Sequence, residues 1–357
     1  TIIAANVSQL DLFSKNLKIL FNLNHPAILN YSGFSPYDFS NKRNPVLFSQ
    51  FCSQGSLDQL LDNKNKNKLN NTQKLIIIYG IAAGMAYLHS KNINNPYLFI
   101  EGIQIDKFLF PKIGFYGMKT LEYLSRNSFE FSTNFTLADI EEYDDICANE
   151  HDVLLFDLIV YKIIEKKYPF PHLNNKFFVD FINGVRPKIS DKKSAFGQLI
   201  EQCWDHCIGS RPSFEEIKNM LKTDKRFIID GVDEEVYHEY IRLVDEYEQI
   251  EPKDLSFDEF VEEKSDKFQP QNLMISSRNK KNNKKKDKTN ASNLSAIENI
   301  KLSDYIKQKK IGEGIFGEAY QVESKETGEK FVAKISKDEI AQKEVDQANI
   351  YREAVIM

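Results

Sequence analysis

The stretch Ser90–Gly117, SKNINNPYLFIEGIQIDKFLFPKIGFYG, decides how the chain is read. Its two apolar runs, Ile103–Ile105 and Phe108–Ile113, flank Asp106-Lys107 and predict a short β-hairpin. Upstream, Thr72–Ser90 carries Leu75, Ile78, Ile81, Ala82, Met85 and Leu88 at helical spacing, which predicts a long helix with one apolar face. Downstream a polar segment runs to about Asp139. Between Gly102 and Gly117 the only carboxylate is Asp106, and it falls at the hairpin turn.

Working outward, the 357 residues are long enough for one large or two ordinary domains. Apolar and charged fractions of 41% and 28% are those of a soluble globular protein. A formal net charge of -5 gives no basic excess to attract nucleic acid. Cys52, Cys147, Cys203 and Cys207 are too few and too scattered for a disulfide framework, and a reducing compartment fits them. Cys203, His206 and Cys207 share a helical stretch, but no fourth ligand accompanies them, so ordinary thiols are expected there and no metal. The most apolar run, Val153–Ile164, is short and interrupted by Asp157 and Lys162, so no membrane span is expected. Thr1 is not an initiator methionine and Met357 falls inside a motif, so a fragment at both ends is expected.

Several short motifs occur in a fixed order. They are Asn24-His25-Pro26, Gln50-Phe51-Cys52, a capping-box start at Ser56 with Gln59, Tyr87-Leu88-His89, and Phe110-Pro111-Lys112-Ile113. Leu137-Ala138-Asp139-Ile140, His151-Asp152, Tyr168-Pro169-Phe170, Gly184-Val185-Arg186-Pro187, Cys203-Trp204 and Arg211-Pro212-Ser213 follow. The series resembles the tyrosine kinase-like group of protein kinases over about 220 residues. That resemblance implies an α+β, protein kinase-like fold, with a mostly helical lower lobe and an incomplete β-rich small lobe. It places the catalytic loop on Asn95–Gly102, where the chemistry is degenerate. Asn95 opens the loop, Tyr97 stands for the catalytic base, Phe99 for the loop lysine, Gly102 for the metal-binding Asn, and Phe115 for the metal-binding Asp. None of Tyr, Phe or Gly accepts a substrate proton or holds Mg²⁺ as a carboxylate or amide does. Loss of the base alone costs roughly 10²- to 10⁴-fold. The resemblance further implies that Gln50–Cys52 is the hinge, that Asn16 has replaced the glutamate of the closing helix, that Asp152 braces the loop backbone at Asn95 and Pro96, and that Arg211 pairs with Asp139.

Residues 228–267 are acidic, with Val236, Tyr240, Val244 and Tyr247 at helical intervals. They read as helices appended to the lobe or as a partner-binding helix. Residues 268–300 form a basic linker, and Arg278–Lys288 is Asn-rich and without bulky apolar residues, so disorder is expected. A nuclear localisation signal or a clasp on the acidic segment are alternatives for that run.

Residues 301–357 hold Ile311-Gly312-Glu313-Gly314-Ile315-Phe316-Gly317, then Val332-Ala333-Lys334 and Tyr351-Arg352-Glu353. Together these resemble the first strands and helix of a second kinase small lobe. The resemblance implies that Ile311, Gly312, Gly314, Gly317, Ala333 and Lys334 bind ATP, with Mg²⁺, that Glu353 orients Lys334, and that Ala319 replaces the usual valine under the adenine. The first unit, residues 1–227, then reads as a pseudokinase with no cofactor or metal of its own. The whole reads as a piece of a tandem pseudokinase and kinase, cytoplasmic, acting on Ser/Thr of protein substrates and contacting regulatory proteins, without nucleic acid or membrane. The rival class is a non-catalytic scaffold. Each half also lacks what the other has: two later strands with an open edge in one, opening strands alone in the other. Ile311–Ile335 is therefore expected to dock on the strands near Ile28–Phe51, with the closing helices around Asn16 and Glu353 competing for one groove.

Overall fold

Asn70 opens the long helix of the lower lobe. Its side chain accepts the N–H of Gln73 while the Gln73 side chain accepts the N–H of Asn70, satisfying two of the donors that a helix start leaves free. Ser56 and Gln59 make the same reciprocal pair at the preceding short helix, as their spacing predicts. The computed structural model describes residues 21–35, 38–41, 46–62, 69–95, 98–114, 148–169, 184–250, 256–265, 267–268, 300–313 and 317–336.

In chain order the described elements begin with β1 (Tyr31–Ser35), β2 (Val46–Gln50), β3 (Gly55–Ser56), α1 (Leu57–Leu61), α2 (Asn71–Ser90), β4 (Ile103–Ile105) and β5 (Pro111–Ile113). They continue with α3 (Ala148–Glu165), α4 (Ala195–Cys203), α5 (Phe214–Thr223), α6 (Glu234–Glu248) and α7 (Phe257–Lys264), and end with β6 (Tyr305–Glu313), β7 (Gly317–Ser324) and β8 (Lys330–Ser336). No helix among the described residues is long and apolar enough to cross a membrane.

Helix α2 departs from the one-faced reading. Ile76, Ile77 and Tyr79 are buried along with Leu75, Ile78 and Ile81, because α5, α3 and α6 enclose the helix from several sides. Gly80 is where α6 and the hairpin come closest: a Cβ there would lie 2.5 Å from Pro111 Cγ and 2.6 Å from the Tyr240 hydroxyl. Helix α3 buries Val153, Leu155, Phe156, Val160 and Ile163, as its all-round apolar sequence requires.

The predicted hairpin is present, with Ile103 opposite Ile113, Gln104 opposite Lys112 and Ile105 opposite Pro111. Asp106 makes the turn: its Oδ1 accepts the N–H groups of Phe108 at 2.8 Å and Phe110 at 2.9 Å. A small sheet of β3, β4 and β5 results.

The second sheet has five strands in the order β1-β2-β8-β7-β6. Residues 46–50 pair antiparallel with residues 331–335, from Val46 opposite Ile335 to Gln50 opposite Phe331, so the expected docking forms. Backbone groups that β2 would otherwise leave open are thereby paired. One face of this sheet gathers Val46, Phe48, Val322, Ala333 and Ile335, with the Tyr305 ring 4.8 Å from that of Phe48. Asn16 and Glu353, and with them the competing helices, lie outside the described residues.

The acidic segment packs. Tyr237, Tyr240, Leu243, Val244 and Tyr247 of α6 are buried in the same core as α2 and the hairpin, and Val236 is half-buried. The Tyr240 ring lies 4.5 Å from that of Phe110. Of the two readings of this segment, the structure takes the appended helices.

Candidate functional site

The loop between α2 and the hairpin hangs on one carboxylate. Asp152, buried at the start of α3, accepts the Asn95 N–H at 2.7 Å and sits 2.9 Å from His89 Nε2 at the end of α2. The Asn95 side chain, fully buried, donates to the Gly114 carbonyl at 3.3 Å. Asp152 therefore braces Asn95 as expected, while Pro96 and Tyr97 lie outside the described residues. The loop closes backbone to backbone, since the Gly114 N–H donates to the Gly102 carbonyl at 3.1 Å. At the position expected to hold a metal-binding amide, Gly102 brings only main chain.

Phe99 is exposed and lines a narrow apolar groove with Ile100, Leu158, Ile159 and Tyr168. Glu101 and Lys162 line the same groove, with Lys162 Nζ 3.4 Å from the centre of the Tyr168 ring. Phe115 and Asp139 lie outside the described residues. Arg211, expected opposite Asp139, donates to the carbonyls of Glu150 at 3.0 Å and Asp205 at 3.2 Å.

Above the loop, Lys334 sits on β8 at 8% exposure. Burial pulls its amine down to about 8. Ala319 of β7 stands directly across from it on one side and Leu47 of β2 on the other. Gly312 follows in the same row, opposite Ala319, where an added Cβ would meet the Ala319 Cβ at 3.8 Å. Gly312, Ala319 and Lys334 therefore share one face of the sheet, and Ile311 is exposed on the outer strand. Ala333 does not join them. Successive residues of a strand point to opposite faces, and Ala333 packs with Val46 and Phe48 on the far side. Val332, which motif matching passed over, shares the Lys334 face and stands opposite Ser49. Gly317 begins β7, opposite Ser336, while Gly314 and Glu353 lie outside the described residues.

Cys52 ends the expected hinge. Its thiol is buried and pushed far up by that burial, and Lys334 acts on it electrostatically. Among the described residues no three His, Cys, Asp or Glu side chains are grouped to hold a metal, and Cys203 is buried while Cys207 is exposed. The donor set thus fits the phosphates of a nucleotide through Lys334 and the strand backbone at Gly312. Gly102 offers Mg²⁺ no side chain, and Phe115 lies outside the described residues.

Residues 3–221 match the family described as protein tyrosine and serine/threonine kinase, and the chain belongs to that family. It is 26% identical over 228 residues to a probable serine/threonine-protein kinase of Dictyostelium discoideum, covering 61% of this chain and 16% of that protein. Dual specificity protein kinase pyk3 of the same organism is 29% identical over 234 residues, covering 62% of this chain and 16% of its own length. Serine/threonine-protein kinase CTR1 of Arabidopsis thaliana is 24% identical over 226 residues, covering 61% and 27%. The chain therefore spans only a minor part of the length of these relatives.

Proposed function

We propose that residues 1–227 are a pseudokinase and that residues 301–357 open a second kinase. The longer parent transfers the γ-phosphoryl of ATP to serine or threonine of proteins, and the first unit regulates the second. The observation that carries this reading is where Asp106 lies. It is the only carboxylate between Gly102 and Gly117, and it is spent on the hairpin turn, accepting two backbone N–H groups and lying 3.4 Å from buried Lys112. Glu101, just before Gly102, is exposed. Gly102 supplies no side chain at all. Family membership supplies ATP and protein substrates as the chemistry of the parent, and the face shared by Gly312, Ala319 and Lys334 supports nucleotide phosphates as the ligand there.

A thermal-shift series on the full chain with ATP, with and without Mg²⁺, tests the reading. A ligand that binds only the folded state stabilises it by RT ln(1 + [L]/Kd). Any stabilisation by ATP is expected to be the same with and without the metal. Stabilisation that requires Mg²⁺ refutes the assignment of Gly102 and Phe115 as lost metal ligands.

A further inference from the structure

Helix α7 begins 36 residues beyond the family match, which ends at Leu221. Its apolar side, Phe257, Phe260 and Val261, is buried, and its acidic side reaches two lysines of the hairpin. Phe257 lies 6.1 Å, ring to ring, from Phe110, and Lys112 Nζ is 5.3 Å from the centre of the Phe257 ring. Lys107 Nζ lies 2.6 Å from Glu262 and 3.8 Å from Asp258. The fit is thus one of acidic helix on lysine-flanked aromatic surface.

Two features make this contact releasable. A helix of eight residues is far below the length that is stable alone in water, so α7 holds its shape only while seated. The electrostatics beneath it are also unbalanced. Lys112, 2% exposed, donates to the Pro26 carbonyl at 2.9 Å and is shared by Asp106 at 3.4 Å and Asp258 at 3.7 Å. One buried lysine thus faces two carboxylates, and Asp106 Oδ2 and Asp258 Oδ1 are both buried without a hydrogen bond. Removing α7 leaves Lys112 with Asp106 alone; seating it brings a second negative charge beside the first.

We propose that the surface formed by Lys107, Phe110 and Lys112 of the hairpin and Tyr247 of α6, whose ring lies 5.1 Å from Phe257 and 5.5 Å from Phe260, is a docking site for an acidic helix carrying phenylalanines three residues apart, filled in cis by α7 and able to release it. The inference does not depend on whether residues 1–227 are catalytically dead. Asp106 sets the balance. It faces Lys112 of β5, Asp258 of α7, Cys52 of the segment after β2 and Tyr240 of α6, with Lys107 beside it in sequence. Burial, and then the Asp258 charge, push its carboxyl up to about 6 against the pull of Lys112 and of the two backbone N–H groups. With α7 released, the carboxyl loses the Asp258 charge and part of its burial and returns toward the ordinary 3.8, so α7 seats most firmly at about pH 4, loosens as pH rises from there to about 6, and loses nothing further above it.

Hydrogen exchange on the full chain tests the device, comparing wild type with Asp106→Asn, whose amide oxygen can still accept the Phe108 and Phe110 N–H groups. Relative to intrinsic rates, protection of amides 258–264 is expected to fall about tenfold or more from pH 4.5 to 6.5 in the wild type and to stay level in the variant, with α2 unchanged in both. A fluorescein-labelled peptide of residues 256–264 supplies the second arm. The full chain carrying Phe257→Asp and Phe260→Asp should bind it at least about tenfold more tightly than wild type, whose site is filled, and Lys107→Glu should abolish that binding. The inference is overturned if α7 exchanges only together with α2, or if Asp106→Asn keeps the wild-type pH response. It also falls if the double variant, with α2 protection intact, binds the peptide no better than wild type.

Discussion

Lys334→Met isolates the cost of holding a charge in the sheet. The lysine is buried between Leu47 and Ala319, and its amine is pulled from the ordinary 10.5 to about 8. At 1.36 kcal/mol per pH unit that displacement corresponds to about 3 kcal/mol of instability wherever the amine must be charged in the unfolded chain. The sign follows from proton binding. Above pH 10.5 both states are neutral and the lysine costs nothing; as pH falls toward 8 the unfolded chain takes up a proton that the folded chain refuses, and stability is lost. Below about 8 the loss is complete and constant. Methionine fills similar space without a charge, so the variant is expected to be more stable than wild type by about 3 kcal/mol at pH 7, and by under about 1 kcal/mol at pH 10. Urea denaturation of both full-length chains at the two pH values measures this, and every other titrating group cancels in the difference. An advantage of equal size at pH 7 and pH 10, or a variant less stable at pH 7, refutes the reasoning.

Asp157 of α3 offers the mirror case. It is fully buried, the nearby Trp204 N–H does not reach hydrogen-bonding geometry with it, and burial raises its carboxyl well above the ordinary range despite Trp204 and Arg211. Because the folded chain holds this proton more tightly than the unfolded one, the wild type loses stability as pH rises above about 4. Asp157→Asn should therefore gain stability over wild type between pH 5 and pH 8 in urea denaturation; a constant difference refutes this. Gly80→Val places a branched side chain against Pro111 and the Tyr240 hydroxyl, and overpacking of this kind costs about 1–3 kcal/mol. It should lower the melting temperature and loosen α6 in hydrogen exchange, and unchanged protection of α6 would refute the close approach.

Local signals in the sequence determined the parts of this protein whose causes are local. The capping boxes at Ser56 and Asn70 start helices because the reciprocal bonds lie within four residues. Asp106 turns the hairpin because its carboxylate reaches the N–H groups two and four residues on. The docking of β8 on β2 was also legible, because an open strand edge and a separate set of strands are complementary by hydrogen bonding alone. The placing of Ala333 with Lys334 in one nucleotide site ignored a rule equally local: neighbours on a strand face opposite ways, so Val332 is the residue beside Lys334. Tertiary structure alone decided the rest. Tyr240 and Tyr247 look in sequence like one stripe of an acidic helix, and nothing local says whether a partner or the chain's own core will cover them. Lys112 reads as an ordinary hairpin lysine. Its burial between Asp106 and Asp258 depends on a helix that begins 145 residues further on, and no periodicity or motif spans that distance.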